Sequence, residues 1–127
     1  ITDRALPSMK ARKWGRIITS TSSGVIAPIP NLGVSNALRS TLVGWSKTLA
    51  REVAPRIRVN AVNPGYVLTP MQEREYTPEM LAAVNETIPL KRHARPEEVA
   101  ALFAFLASDQ GTYFTGTSVD IDGGENA

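Results

Sequence analysis

Between Gly15 and Gly65 the spacing of apolar positions switches from strand-like to helical and back. Arg16 to Thr21 is a short β-branched run. From Leu32 to Ala54 the residues Val34, Leu38, Leu42, Trp45, Leu49 and Val53 recur at steps of four, four, three, four and four, which places them in one stripe of a helix. Pro55 stops that helix, and Ile57 to Val62 is a second strand, apolar enough to be buried on both faces. Strand, helix and strand in this order form a βαβ unit, which requires a parallel pair with the helix crossing over the sheet. Ligands bind such sheets beyond the carboxyl ends of the strands. Those ends carry Thr21, Ser22 and Ser23 in the first strand and Asn63, Pro64 and Gly65 in the second. Ser35 and Arg39 open the helix four positions apart, hence on one face.

The flanking segments extend the same architecture. Ile1 to Lys13 is expected to be a helix with apolar Ile1, Ala5, Leu6 and Met9, a basic last turn, and Pro7 as a kink or early-turn marker. Ser22 to Asn31 is broken by Gly24, Pro28 and Pro30 into a loop. Residues 66–94 read as a lid over the site with one or two short helices. Arg95 to Ser108 is a second strong helix, with Pro96 in its first turn, Glu97 and Glu98 at its positive end, and Val99, Leu102, Phe103 and Leu106 facing the core. Ser118 to Ile121 is a last strand before Asp122-Gly123-Gly124. The sum is α/β: a partial doubly wound parallel sheet in one domain, 1–127. It divides into a helix (1–13), the βαβ unit (14–65), the lid (66–94) and a closing helix and strand (95–127).

A second row on the main helix, Ala37, Thr41, Gly44 and Thr48, is uniformly small. With the apolar stripe assigned to the sheet, this row is the expected interface for another helix.

Composition narrows the function. The 127 residues carry 14 Lys and Arg against 12 Asp and Glu, a net charge of +2, with no basic block, so nucleic acid is not an expected partner. One histidine and no cysteine make a transition-metal site improbable, and His93, between two arginines, reads as solvated surface. The lack of cysteine fits a reducing compartment, the cytoplasm. No apolar run reaches membrane-spanning length, and no secretory signal pattern opens the chain. The run STSSG is not the G-x-S-x-G of a nucleophile elbow, which leaves a hydrolase a distant reading.

The order of GRIITSTSS, KTLAREVAP, IRVNAVNPG, RPEEVAALFAFLASD and TGTSVDIDGG resembles the second half of a short-chain dehydrogenase/reductase. The likeness covers essentially the whole chain, and the glycine fingerprint of that family's first half is absent. The chain is therefore expected to be a fragment, an incomplete Rossmann-like domain that by itself binds cofactor weakly. The resemblance implies hydride transfer between NAD or NADP and a small carbonyl or alcohol substrate. It also implies a homodimer or homotetramer built on helix 32–54. In the family a serine stands thirteen residues before a Tyr-x-x-x-Lys pair. Here Ser22 keeps the serine position, and Ser35 and Arg39 stand where the Tyr and Lys would be. These three are the implied catalytic candidates; Arg39, Pro64, Gly65, Val67 and Thr69 are the implied cofactor contacts.

The substitution matters chemically. A phenol with a pKa near 10 can be drawn toward neutrality by a cation, whereas an alkyl hydroxyl cannot, and arginine does not give up its proton. Chemistry by the family route is expected to be impaired. Two structural alternatives stay open: Ser35 decorating the helix with Arg39 in an ion pair, and Ser22 as a loop hydroxyl bonded to backbone. Tyr66 near the site is expected to pack on the lid. The alternative function is a non-catalytic oligomerisation or regulatory paralogue.

Overall fold

Ile57 to Pro64 forms the middle strand, and its position follows from its residues. Every side chain from Ile57 to Asn63 is buried, as the unbroken apolar and amide run requires. In this computed structural model, which describes residues 1–127, the elements run α1 (Thr2–Ala11), β1 (Gly15–Ser20), α2 (Gly33–Val53), β2 (Ile57–Pro64), α3 (Pro70–Glu75), α4 (Pro78–Thr87), α5 (Pro96–Ala107) and β3 (Ser118–Ile121). Short 3-10 turns lie at Ser23–Val25 and Asp109–Gly111. The sheet order is β1-β2-β3, with both pairings parallel. β1 and β2 are in register from Gly15 opposite Ile57 to Ser20 opposite Val62, and Ala61 to Pro64 face Ser118 to Ile121. The expected α/β topology and parallel strands are thus observed. No helix is long and apolar enough to cross a membrane.

The core sits under the carboxyl half of α2, where Leu49, Ala50 and Val53 meet Ile57 and Val59, with Leu6, Met9 and Ile17 packed around them. This corrects the reading of the α2 stripe. Leu49 and Val53 reach the sheet, but Val34 (77% exposed), Leu38 (64%), Leu42 and Trp45 do not. The more buried row is instead Ser35, Arg39, Val43, Ser46 and Ala50. At 3.6 residues per turn the two rows are displaced by roughly a quarter turn. Because α2 is longer than the strands beneath it, its first turns lie over the polar strand tips. The small row Ala37, Thr41, Gly44 and Thr48 is also exposed, and Thr41 and Thr48 donate their hydroxyls back to the carbonyls of Ala37 and Gly44. Both rows therefore face outward.

Residues 66–94 contain two helices, each started the same way. Thr69 and Thr77 accept from the backbone N–H groups of Gln72 and Met80, and Pro70 and Pro78 follow them. Proline is preorganised for that position and lacks an N–H that would need a partner there. His93 corrects another expectation. It is only 7% exposed, with Nδ1 2.7 Å from Asn85 Oδ1 and its ring edge on Tyr66, and burial holds its pKa below the usual value.

Arg58 is buried near the amino end of β2 without a carboxylate partner. It donates to the carbonyls of Leu106 (2.9 Å), Ser108 (3.0 Å), Phe114 (3.2 Å) and Gly111. These include acceptors that the end of α5 leaves without intrahelical donors. Burial, and next the charge of Arg16, lower its pKa from the ordinary arginine value. Arg58→Met removes every one of these donors. At about 1–3 kcal/mol for a buried group left unsatisfied, we expect a loss of at least that size in urea denaturation; a loss below about 0.5 kcal/mol would show that the carbonyls find other partners.

At the start of α5, Glu98 accepts from the Arg95 backbone N–H and pairs with Arg92 through both oxygens at 2.8 Å. The Arg92 hydrogen bonds, then the Arg95 backbone N–H, lower its pKa to about 2. A depressed carboxylate stabilises the fold above its unfolded value and loses that contribution as pH falls toward the folded one. Thermal midpoints should therefore fall between pH about 4.5 and about 2. Glu98→Gln should flatten the part of that slope due to this group, and an unchanged slope would exclude it as a contributor.

Candidate functional site

Three segments converge beyond the carboxyl ends of β1 and β2. Thr21, Ser22 and Ser23 leave β1, Pro64 and Gly65 leave β2, and Ser35 and Arg39 come from the first turns of α2. They line one cavity of about 340 Å³. Ile29 and Leu32 add an apolar wall, and Met71, Gln72 and Tyr76 cover it from α3 and its end. The shared crevice expected from the βαβ reading is present.

Asn63, fully buried, sets the spacing of the tips. Its Nδ2 donates to Asp120 Oδ1 (2.6 Å) and Ser118 Oγ (2.8 Å) on β3, and its Oδ1 contacts the Thr21 hydroxyl beyond β1. The Val62 carbonyl lies 2.9 Å from the same hydroxyl oxygen. Gly65 can follow only as glycine: a Cβ there would lie 2.8 Å from Asp122 Cα and 2.9 Å from Glu125 Oε2. Burial raises the pKa of the Glu125 carboxyl, whose Oε2 has no hydrogen-bond partner.

Ser35 and Arg39 are joined to each other. Arg39 Nε donates to Ser35 Oγ at 3.2 Å, and Nη1 donates to the Thr21 carbonyl at 2.7 Å. The guanidinium is thereby fixed against the end of β1. Arg39 takes part in no ion pair, which corrects the expectation of one; the four ion pairs all lie elsewhere. Ser22 lines the cavity, and its Oγ accepts from the Gly24 N–H at 3.1 Å, so the site position and the turn-forming role coincide in one residue.

Val67 and Thr69 lie off the cavity wall. Val67 forms a parallel bridge with Ala94, and the Thr69 hydroxyl caps α3. Tyr66 lines this cavity and a smaller one of about 130 Å³ behind it. Burial, and next the Glu125 charge, raise its phenol pKa, so it stays protonated at neutral pH and serves only as a hydrogen-bond donor or acceptor there.

Sequence reasoning missed Gln72 and Tyr76 as wall residues. Gln72 Oε1 is buried without a hydrogen-bond partner. The only local signal was the Thr-Pro pair that starts α3 and turns this side of the helix inward. Together the wall offers hydroxyl and guanidinium donors without an ionised acid. It can bind and polarise an oxygen, while neither Ser35 nor Arg39 is suited to exchange a proton at neutral pH.

A family model described as "Enoyl-(Acyl carrier protein) reductase" matches residues 1–126. The chain is 45% identical over 133 residues to oxidoreductase UcpA of Escherichia coli O157:H7, covering 98% of this chain and 51% of that protein. Among solved structures, YwfH, an NADPH-dependent reductase involved in bacilysin biosynthesis, superposes with a TM-score of 0.91 at 32% identity, covering 98% of this chain and 52% of that one. The 3-ketoacyl-(acyl-carrier-protein) reductase of Brucella melitensis, solved with NADH, superposes at 0.88 and 33% identity, covering 99% and 52%. The chain thus spans about half the length of the relatives it matches. With its parallel sheet, its strand-tip cavity and a match from end to end, the chain belongs to the short-chain dehydrogenase/reductase family.

Proposed function

We propose that the chain supplies the substrate side of an NAD- or NADP-dependent oxidoreductase that acts in the cytoplasm on a small carbonyl or alcohol compound. The observation that carries this reading is the convergence of Ser22, Ser35, Arg39, Pro64 and Gly65 on one cavity at the strand tips. The wall fits the hydroxyl-rich nicotinamide riboside of such a cofactor: serine hydroxyls and a fixed guanidinium face it, with no carboxylate among the lining residues. A bound nicotinamide supplies or accepts the hydride. In this reading Pro64 and Gly65 face the cofactor from the wall, Val67 and Thr69 meet it beyond the wall, and Arg39 reaches both the cofactor and the substrate. Ser22 and Ser35 hold and polarise the substrate oxygen.

The Ser35–Arg39 pair holds a ligand better than it moves a proton. We therefore expect the full-length protein to bind NADH or NADPH, measured by nicotinamide fluorescence, and to turn over carbonyl substrates slowly. Installing the family pair, Ser35→Tyr with Arg39→Lys, should raise the rate, since general acid–base help is worth about 10²- to 10⁴-fold. No binding of either cofactor would overturn the reading.

A second reading, a non-catalytic oligomerisation or regulatory paralogue, draws on the exposed α2 row Val34, Leu38, Leu42 and Trp45. Four large apolar side chains on one helix flank form a patch of the kind that marks interaction sites. We infer that this flank and the small row beside it pair α2 with a second copy in a homodimer or homotetramer. Leu38→Glu with Leu42→Glu should lower the mass measured by light scattering to that of a monomer; an unchanged oligomer would place the interface elsewhere.

A further inference from the structure

The cavity wall combines two unmet demands. Arg39 is half-buried, is held by the Thr21 carbonyl and Ser35, and has no acidic neighbour to balance its charge. None of the thirteen lining residues is Asp or Glu. Of the other guanidiniums drawn into the fold, Arg16 faces Asp109 and the Trp14 ring, and Arg58 donates to carbonyls, with Nε of both left without a partner. Gln72 presents the opposite need, an acceptor oxygen buried without a donor. A ligand that satisfies both carries an anionic group for the arginine fork and an O–H for the amide oxygen. Ile29, Leu32 and Met71 call for a short apolar body between them.

We propose that the substrate of this cavity is a small hydroxycarboxylic acid, bound in its alcohol form with its carboxylate on Arg39 and its hydroxyl on Gln72. The assignment rests on the oxidoreductase reading for its redox sense, while the binding chemistry stands on the wall alone. Arginine matches a carboxylate bidentately, and charge-assisted hydrogen bonds are about twice as strong as neutral ones. A carboxylate beside Arg39 also neutralises the positive charge that the oxidised nicotinamide would add to a site already cationic.

The test needs no cofactor. Titrating 2-hydroxybutyrate into the isotopically labelled chain should give saturable amide shifts at Ser22, Arg39 and Gln72. The uncharged 1,2-butanediol should bind at least about tenfold more weakly, and Arg39→Gln should weaken 2-hydroxybutyrate by a similar factor. Butyrate, which lacks the hydroxyl, should bind about threefold more weakly than 2-hydroxybutyrate, and Gln72→Met should erase that difference. Equal binding of the diol, shifts confined to other parts of the chain, or no saturation would overturn the proposal. The diol comparison uses the unaltered protein, so the result does not depend on how well a variant folds. Loss of this binding with cofactor titration intact would refute the substrate class alone; the reverse would refute the dehydrogenase reading alone.

Discussion

One amide side chain keeps the site open at a fixed width. Asn63 is buried at the end of the central strand and hydrogen-bonds to both neighbours: Ser118 and Asp120 on one side, Thr21 on the other. A parallel sheet ladders backbone groups but leaves the turn beyond each strand to be set by side chains. With Asn63 in place, the segment carrying Ser22 and the segment carrying Gly65 diverge from a common point. The space between them becomes a cavity rather than a packed layer. In the interior such a polar cluster holds only when its members satisfy one another, as these do.

From that point the structure grows outward consistently. α2 crosses the sheet so that its core contacts, Leu49, Ala50 and Val53, come late, and its early turns lie above the strand tips. Ser35 and Arg39 reach the cavity because this half of the helix has no strand under it to cover. The same displacement turns Val34, Leu38 and Leu42 toward the flank. A single helix thus supplies core, site wall and exposed apolar surface from different stretches of two adjacent rows.

Much of this was legible beforehand, and the exceptions have physical causes. The β-branched runs, the long helical period and the Asn-Pro-Gly break sufficed to place two parallel strands and their tips. Ser22, Ser35, Arg39, Pro64 and Gly65 could be grouped because each lies at a strand end or in the first turns of the crossover helix. The orientation of α2 was not legible. Its most apolar row is a quarter turn from its buried row, and periodicity reports only that a stripe exists. His93 was misplaced because two adjacent arginines mask a contact with Asn85 and Tyr66 that only tertiary packing creates. Gln72 and Tyr76 escaped notice because a short helix carries them back over a cavity formed by segments distant in sequence.

Arg58 stands five residues before Asn63 on the same strand, about 16 Å away at the rise of an extended chain. It ties the far end of the sheet to the close of α5 without touching the cavity. The scaffold's fastening and its reactive rim are therefore separate territories. Residues around the rim can thus be exchanged while the fastening at the other end of the sheet stays as it is.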